Sequence, residues 1–135
     1  MEAATRFAVV PKEINEVTRD IVDSAYKIHK ALGPGLLESS YRMCLVHELS
    51  RRGHRVQSEL ELPIQYEGIA LASGYRVDLM VDDLVIVELK AIEDVLAIHR
   101  AQLLSYLRHA KKRVGLLINF NVVLIKDGIH RVICD

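Results

Sequence analysis

Three charged residues stand inside two apolar segments, and their types are suited to holding a metal ion. Asp78 interrupts the apolar segment 77–81, while Glu88 and Lys90 interrupt the segment 84–91. Charged groups within apolar strands are costly unless something pairs with them. A divalent cation would neutralise both carboxylates, and a lysine beside them could act in a reaction. The pattern Asp-x9-Glu-x-Lys therefore indicates a metal-dependent phosphodiesterase site.

The strand register decides whether these groups meet, because side chains alternate between the two faces of a strand. If Asp78 lies opposite Glu88, these two acids and Lys90 share one face. The other face is then wholly apolar and consists of Val77, Leu79, Val81, Val85, Val87 and Leu89. A two-residue turn at 82–83 would shift the register by one and mix charge into that apolar face. We therefore predict an odd-length loop, or a bulge, centred on Asp83.

Composition and charge favour an ordinary globular domain. The chain has 135 residues, half of them hydrophobic, and equal numbers of basic and acidic residues, 18 of each. A net charge of zero argues against a non-specific nucleic-acid coat protein, but it allows a local basic face. Two basic clusters could form such a face or could simply be solvated helix ends. They are Arg51, Arg52 and Arg55, and Arg108, Lys111, Lys112 and Arg113.

The cellular location is predicted to be the cytoplasm, without membrane association. No stretch reaches the roughly 18 consecutive apolar residues of a membrane span, and the N-terminus lacks the basic and apolar regions of a signal peptide. Cys44 and Cys134 are far apart in sequence, which favours a reduced intracellular protein. We expect one domain over residues 1–135, with residues 1–10 as a loosely ordered lead-in.

The periodicity of apolar residues predicts the element order α-α-β-β-β-α-β-β-β, an α/β fold with a mixed sheet packed against helices. Helices are predicted at about 11–32, 36–52 and 98–109. Strands are predicted at 56–65, 69–81, 84–91, 114–120, 122–126 and 129–133, with Pro63 marking an edge or a bend and 127–128 a tight turn. The run 114–120 is apolar throughout, as expected of a strand buried on both faces.

Several polar residues can be placed on these helices. Glu38 lies in the first turn of the second helix, and Tyr41 follows about one turn later. On the third helix, Gln102 and Tyr106 are four residues apart and share a face. His99 precedes Gln102 by one turn on much the same side.

The string Gly35-x-x-Glu38-x-x-Tyr41 resembles the signature of the GxxExxY proteins, a branch of the PD-(D/E)XK nuclease superfamily. The resemblance extends from about residue 13 to residue 133, because further strings match in order. These strings are residues 29–38, 74–79, 86–91, 99–107, 115–120 and 126–129. The resemblance implies a restriction-endonuclease-like core.

The resemblance also implies roles for individual residues. Asp78 and Glu88 would bind the metal, Lys90 would be the catalytic lysine, and Glu38 would complete the catalytic and metal-binding set. The backbone carbonyl of Leu89 would be a further metal ligand. Substrate contacts would come from Gln102 and Tyr106, with Tyr41 and His99 as additional candidates. The expected ion is Mg²⁺, for which Mn²⁺ should substitute because both accept oxygen ligands.

Three functional hypotheses follow. The first is a Mg²⁺-dependent nuclease that hydrolyses DNA, or alternatively RNA. The second is a non-catalytic module that keeps the nuclease fold and binds nucleic acid or a protein, with a homodimer as one form. The third is a structural oligomer whose acidic residues face solvent.

Overall fold

The computed structural model describes residues 9–71 and 75–135, which form helices on both faces of a sheet. Three α-helices are present among these residues: α1 (Lys12–Leu32), α2 (Glu38–Arg51) and α3 (Ala97–Ala110). The strands are β1 (Val56–Glu61), β2 (Gln65–Tyr66), β3 (Ile69–Ala70), β4 (Arg76–Val81), β5 (Val85–Lys90), β6 (Val114–Asn119) and β7 (Ile129–Ile133). A short 3₁₀-helix, Ile125–Gly128, precedes β7.

Five strands form the main sheet in the order β1-β4-β5-β6-β7. Only β5 and β6 run parallel, and the other neighbouring pairs are antiparallel. A parallel pair needs a crossover connection, and α3 supplies it between β5 and β6. Helices α1 and α2 cover one face of the sheet and α3 covers the other. This arrangement confirms the predicted α/β class with a mixed sheet packed against helices.

Both faces of the central strands are covered, as the apolar run in β6 predicted. Every residue of β6 is buried. Gly115 in this strand lets α3 approach closely, because a Cβ atom there would lie 2.8 Å from a methyl carbon of Leu103. The central strands are therefore dry on both sides, which matters for any charged group that they carry.

The hairpin register agrees with the prediction. Leu79 pairs with Val87, Met80 with Ile86, and Val81 with Val85. The loop between the strands has three residues, 82–84, and its turn is closed by the Leu84 N–H, which donates to the Val81 carbonyl at 2.9 Å. The prediction of an odd-length loop centred on Asp83 is confirmed.

One side chain of the predicted apolar face lies elsewhere, so that part of the prediction is wrong. Val77 packs with Leu62 and Leu103 on the α3 side, whereas Leu79 packs on the α1–α2 side. The β4–β5 ladder ends at Leu79 and Val87. Beyond it, the Asp78 N–H donates to a carboxylate rather than to a strand, so the regular alternation does not continue to Val77.

Two predicted strands also differ from the structure. The segment 122–126 is not a strand: residues 121–124 form a bend and Ile125 begins the 3₁₀-helix. The segment 69–81 is not one continuous strand, because Ile69 and Ala70 pair with Gln65 and Tyr66 in a separate two-stranded ribbon. Residues 72–74, which the same prediction included, lie outside the described residues.

Two further elements follow their glycine and proline signals. Helix α1 ends at Gly33, whose φ of 68° is in the left-handed region that favours glycine. Strand β1 is an edge strand, as Pro63 indicated, but it ends at Glu61 and is shorter than the predicted strand 56–65, because Gln65 belongs to the separate ribbon. Residues 1–8 of the predicted lead-in lie outside the described residues. In those ranges, no helix combines the length and apolar composition that crossing a membrane requires.

Candidate active site

Asp78 and Glu88 face each other at the open end of the β4–β5 hairpin. The Asp78 N–H donates a hydrogen bond to Glu88 Oε2 at 2.7 Å. In return, the Leu89 N–H donates to Asp78 Oδ2 at 2.7 Å. These two bonds continue the hairpin beyond its last ladder pair, with carboxylates in place of backbone carbonyls. The predicted meeting of the two acids is therefore present in the structure.

Burial makes this meeting electrostatically unfavourable when both acids are ionised. Only 6% of Glu88 is exposed, because Met80, Ile86 and Tyr106 pack on its side of the sheet. Burial raises the pKa of Glu88 to about 8, and the negative charge of Asp78 adds to the rise. Burial likewise raises the pKa of Asp78, although the Leu89 N–H and the charge of Lys90 oppose that rise. A bound cation would relieve both effects.

Glu38 joins the two acids from a distant part of the sequence. It is the first residue of α2 and is half-buried. Burial raises the pKa of its carboxyl, the negative charge of Asp78 adds to the rise, and the charge of Lys90 opposes it. These electrostatic interactions mean that the N-terminus of α2 lies beside the open end of the hairpin.

Lys90 is the last residue of β5 and is half-buried. Its carbonyl accepts a hydrogen bond from the Phe120 N–H at 2.9 Å. The segment that follows is fixed by the buried Asn119, whose side chain accepts from the Ile92 N–H at 3.1 Å and donates to the Ile92 carbonyl at 2.9 Å. Asn119 thus fixes the backbone that follows Lys90. In the sequence, its position as the polar residue of an otherwise apolar strand was the signal for this structural role.

Of the three residues of α3 that were predicted to contact substrate, Tyr106 lies near the acids. Tyr106 is 8% exposed. Burial raises the pKa of its hydroxyl, and the charges of Glu88 and Asp78 raise it further. Gln102 is exposed one turn earlier. His99 has a local role, because its Nδ1 accepts a hydrogen bond from the Leu96 N–H at 2.8 Å at the start of α3.

Tyr41 does not fit its predicted role in substrate binding. It is fully buried, and its ring stacks on Phe120 with a centroid distance of 4.3 Å. Its hydroxyl donates to the Gly33 carbonyl at 2.6 Å and accepts from the Leu36 N–H at 3.1 Å. Tyr41 therefore has no surface with which to contact substrate. It fixes the loop that leads into α2 and so helps to position Glu38.

Arg42 and Glu59 are neighbours of the site that the sequence analysis did not select. Arg42 lies one helical turn after Glu38, and its Nη2 is 3.3 Å from Glu59 Oε1. Glu59 has a φ of 52° and interrupts the pairing of β1 with β4, since Ser58 and Leu60 are paired but Glu59 is not. The four-residue spacing from Glu38 to Arg42 was the only signal available.

The acidic residues fit a hard ion that keeps part of its water shell. One oxygen of each hairpin carboxylate is occupied by a backbone N–H, and no described residue donates a hydrogen bond to Asp78 Oδ1 or Glu88 Oε1. Within the described ranges, however, no three His, Cys, Asp or Glu side chains are grouped closely enough to enclose an ion. Mg²⁺ requires no such cage, because it commonly binds through one or two carboxylates and several waters.

Comparison with known proteins agrees with this geometry. The family profile described as the PD-(D/E)XK nuclease superfamily matches residues 15–132, which is most of the chain. Neither a curated protein sequence nor a solved structure gives a significant match. The matched residues include Glu38, Asp78, Glu88 and Lys90. The chain therefore belongs to the PD-(D/E)XK nuclease superfamily.

Proposed function

We propose that this protein is a Mg²⁺-dependent nuclease that hydrolyses DNA, with RNA as the second candidate substrate. The observation that carries the proposal is the pair of hydrogen bonds by which Asp78 and Glu88 hold each other while each keeps one oxygen free. A buried carboxylate, a half-buried one and a neighbouring lysine favour a bound cation, and membership of a nuclease superfamily specifies the kind of chemistry. We also propose membership of the GxxExxY branch and a cytoplasmic location.

Asp78 and Glu88 would hold the ion through Oδ1 and Oε1. The Leu89 carbonyl is a reasonable third ligand, because the N–H and the carbonyl of a strand residue point to the same side, and the Leu89 N–H bonds to Asp78. Glu38 would bind a water of the ion or a second ion. When bound, Mg²⁺ neutralises charge on the phosphoryl oxygens and lowers the pKa of its water.

The other side chains would position the phosphodiester and move protons. Lys90 would orient the attacking water or stabilise negative charge on the phosphorus centre, since its ammonium lies among the acids. Tyr106 would donate a hydrogen bond from its hydroxyl to a phosphate oxygen, because its raised pKa keeps the hydroxyl protonated. Gln102 and His99 would contact the nucleic-acid substrate from the more exposed first turns of α3.

A non-catalytic binding module is the alternative that one observation favours. A third acid does not close around Asp78 and Glu88 among the described residues, so the fold could bind nucleic acid or a protein partner elsewhere on its surface without holding the ion that cleavage needs. In that case a homodimer or a nucleic-acid complex would form without any dependence on Lys90. Activity of Lys90 variants therefore separates the two functions.

The direct test measures cleavage of single-stranded DNA, double-stranded DNA and RNA with Mg²⁺, with Mn²⁺ and with EDTA. We expect cleavage only with a divalent ion, and a loss of at least about a hundredfold in Glu88→Gln and Lys90→Ala, since each removes charge stabilisation from the transition state. Glu93→Gln is the matched control, because Glu93 is an exposed acid in the loop after β5. Equal activity of Glu88→Gln and Glu93→Gln would refute the proposal.

A further inference from the structure

A surface groove runs along α2 between that helix and the edge strand β1. Its lining includes Arg42, Met43, His47 and Arg51 from the helix and Ser58 from the strand, and we call it the α2–β1 groove. The helix residues fall into neighbouring rows with a spacing of four residues, which places them on one face. Ser58 is small and exposed, so the strand side of the groove stays open.

The α2–β1 groove is continuous with the acidic site. Glu38 and Arg42 are one helical turn apart, so the row of side chains that begins in the site continues into the groove. Burial raises the pKa of Asp78, and the nearby charge of Arg42 opposes that rise. Helix α2 has 14 residues, which corresponds to a length of about 20 Å. A nucleic-acid strand that leaves the site along this helix would stay in contact with the protein.

The charges of the α2–β1 groove suit a polyanion. Arg42, His47 and Arg51 contribute basic groups, and no Asp or Glu is among its lining residues in the described ranges. Arg42 forms an ion pair with Glu59 that holds its side chain in place and offsets part of its charge. Arg51 is exposed and has no ion pair with a described residue. Met43, next to these cations, is 71% exposed and offers an apolar surface for a sugar or a base.

Two other residues of the basic clusters are engaged in ion pairs and are less available to a ligand. Arg52 pairs with Glu48 on the opposite side of the helix, and Lys112 pairs with Asp83 at the turn of the β4–β5 hairpin. That turn is the end of the hairpin farthest from Asp78 and Glu88. The first of the two basic clusters contributes Arg51 to the lining of the α2–β1 groove.

We propose that the α2–β1 groove binds the phosphodiester backbone of the nucleic-acid strand on one side of the cleavage point, with Arg51 and His47 as positioning residues. This inference rests on the proposed function, since it names the path by which the substrate reaches the acids. The groove follows one helix and one edge strand, so we assign it a single nucleic-acid strand rather than a duplex. Phosphate contacts of this kind are independent of sequence.

The test measures affinity by fluorescence anisotropy with a fluorescein-labelled single-stranded DNA, in EDTA and at several salt concentrations. We expect Arg51→Ala to weaken binding about tenfold, as the loss of one charge-assisted hydrogen bond implies, and to lower the slope of log affinity against log salt by about one. His47→Ala should weaken binding less. The matched control is Arg108→Ala, which removes an exposed arginine from the other basic cluster.

A second pair of variants examines the strand side of the groove. Ser58→Glu places a carboxylate beside the arginines and should weaken DNA binding. Ser58→Gln introduces a side chain of nearly the same shape as glutamate but without charge, and it should leave DNA binding unchanged. All of these positions are exposed, so the melting temperature should stay that of the wild type. In cleavage assays Arg51→Ala should raise KM and leave kcat unchanged.

Failure of the inference and failure of the proposed function have different signatures. If the wild type cleaves DNA while Arg51→Ala and Ser58→Glu bind as tightly as the wild type, the groove is not the path, although the protein is a nuclease. Greater loss in Arg108→Ala than in Arg51→Ala also overturns the inference. If the wild type cleaves no nucleic acid but Arg51→Ala still loses about tenfold in affinity, the groove stands and the nuclease proposal falls.

Discussion

The two ends of the β4–β5 hairpin both carry carboxylates, but at only one end are these carboxylates hydrogen-bonded to a basic side chain among the described residues. At the turn, His54 lies between two acids: its Nδ1 is 2.6 Å from Asp82 Oδ2 and its Nε2 is 2.7 Å from Asp20 Oδ2, and both nitrogens donate hydrogen bonds when the ring is protonated. At the open end, Asp78 and Glu88 face each other. At the turn a histidine is hydrogen-bonded to both acids, whereas at the open end no described cation forms an ion pair with either acid, and the charge of Asp78 raises the pKa of Glu88.

The pKa shifts follow this difference. Burial opposes ionisation of Asp82, but the hydrogen bonds from His54 and from the Arg55 N–H outweigh it and lower the pKa of Asp82. For Glu88, burial raises the pKa to about 8 and the charge of Asp78 adds to the rise. An acid that the fold stabilises as an anion serves structure, and an acid that the fold destabilises as an anion is poised to bind a cation.

The largest expected effect is stabilisation of the open end by metal. Unfolding monitored by circular dichroism at pH 7.5 should show a gain of about 3 kcal/mol in the free energy of unfolding when free Mn²⁺ is about a hundred times its dissociation constant, relative to EDTA. Glu88→Gln should lose this gain because it removes an anionic ligand. His54→Gln should retain the gain, since the turn is remote from the site. An equal gain in wild type and Glu88→Gln would contradict a cation site between the two acids.

A smaller effect is expected from pH in the absence of metal. The unfolded Glu88 carboxyl titrates near 4.5 and the folded one near 8, so between these values the folded state holds a proton that the unfolded state has released. The free energy of unfolding should therefore fall as pH rises through this window, by up to about 1.4 kcal/mol per pH unit. Urea titrations in EDTA from pH 5 to pH 8 provide the measurement.

The comparison variant for this pH effect is Glu88→Gln, in which the fall should be smaller because its amide does not titrate. His54 also makes the free energy of unfolding fall as pH rises, but its effect begins near pH 6.5 rather than near pH 4.5. Burial lowers the pKa of His54, its hydrogen bonds to Asp82 and Asp20 raise it more strongly, and the net shift is upward. Its contribution is thus complete below pH 6.5 and is lost as pH rises through the raised pKa. Identical pH profiles for wild type and Glu88→Gln would show that Glu88 is not a strained acid.

The smallest effect is expected at the turn. His54→Ala should lower the free energy of unfolding by about 1 kcal/mol, because it leaves Asp20 and Asp82 facing each other, and their partial exposure limits the cost. Asp78→Asn is the contrasting variant: in EDTA it should keep or raise stability, since it removes a partly buried charge that burial disfavours. Thermal melts at pH 6 compare the two. A large loss in Asp78→Asn would mean that both ends of the hairpin serve structure.

Much of the candidate site followed from local pattern. The alternation of apolar and charged residues fixed the hairpin register, because any other register would bury charge on the apolar face. The same argument required an odd-length loop or a bulge, and the structure has a loop of three residues. It did not extend to Val77, where the side chains of Asp78 and Glu88 replace the ladder. Nor did local pattern show that 122–126 would bend, since a short apolar segment fits several conformations.

The amino-acid order by itself determined that Asp78, Glu88 and Lys90 meet, because they lie on adjacent strands joined by a short loop and side-chain alternation is a local property. Only the tertiary structure decided which distant residues join them. It brought Glu38 and Tyr106 to the acids from helices on opposite faces of the sheet, and it buried Tyr41 as a support for α2. Packing of helices against a sheet depends on the whole core, and no short segment encodes it.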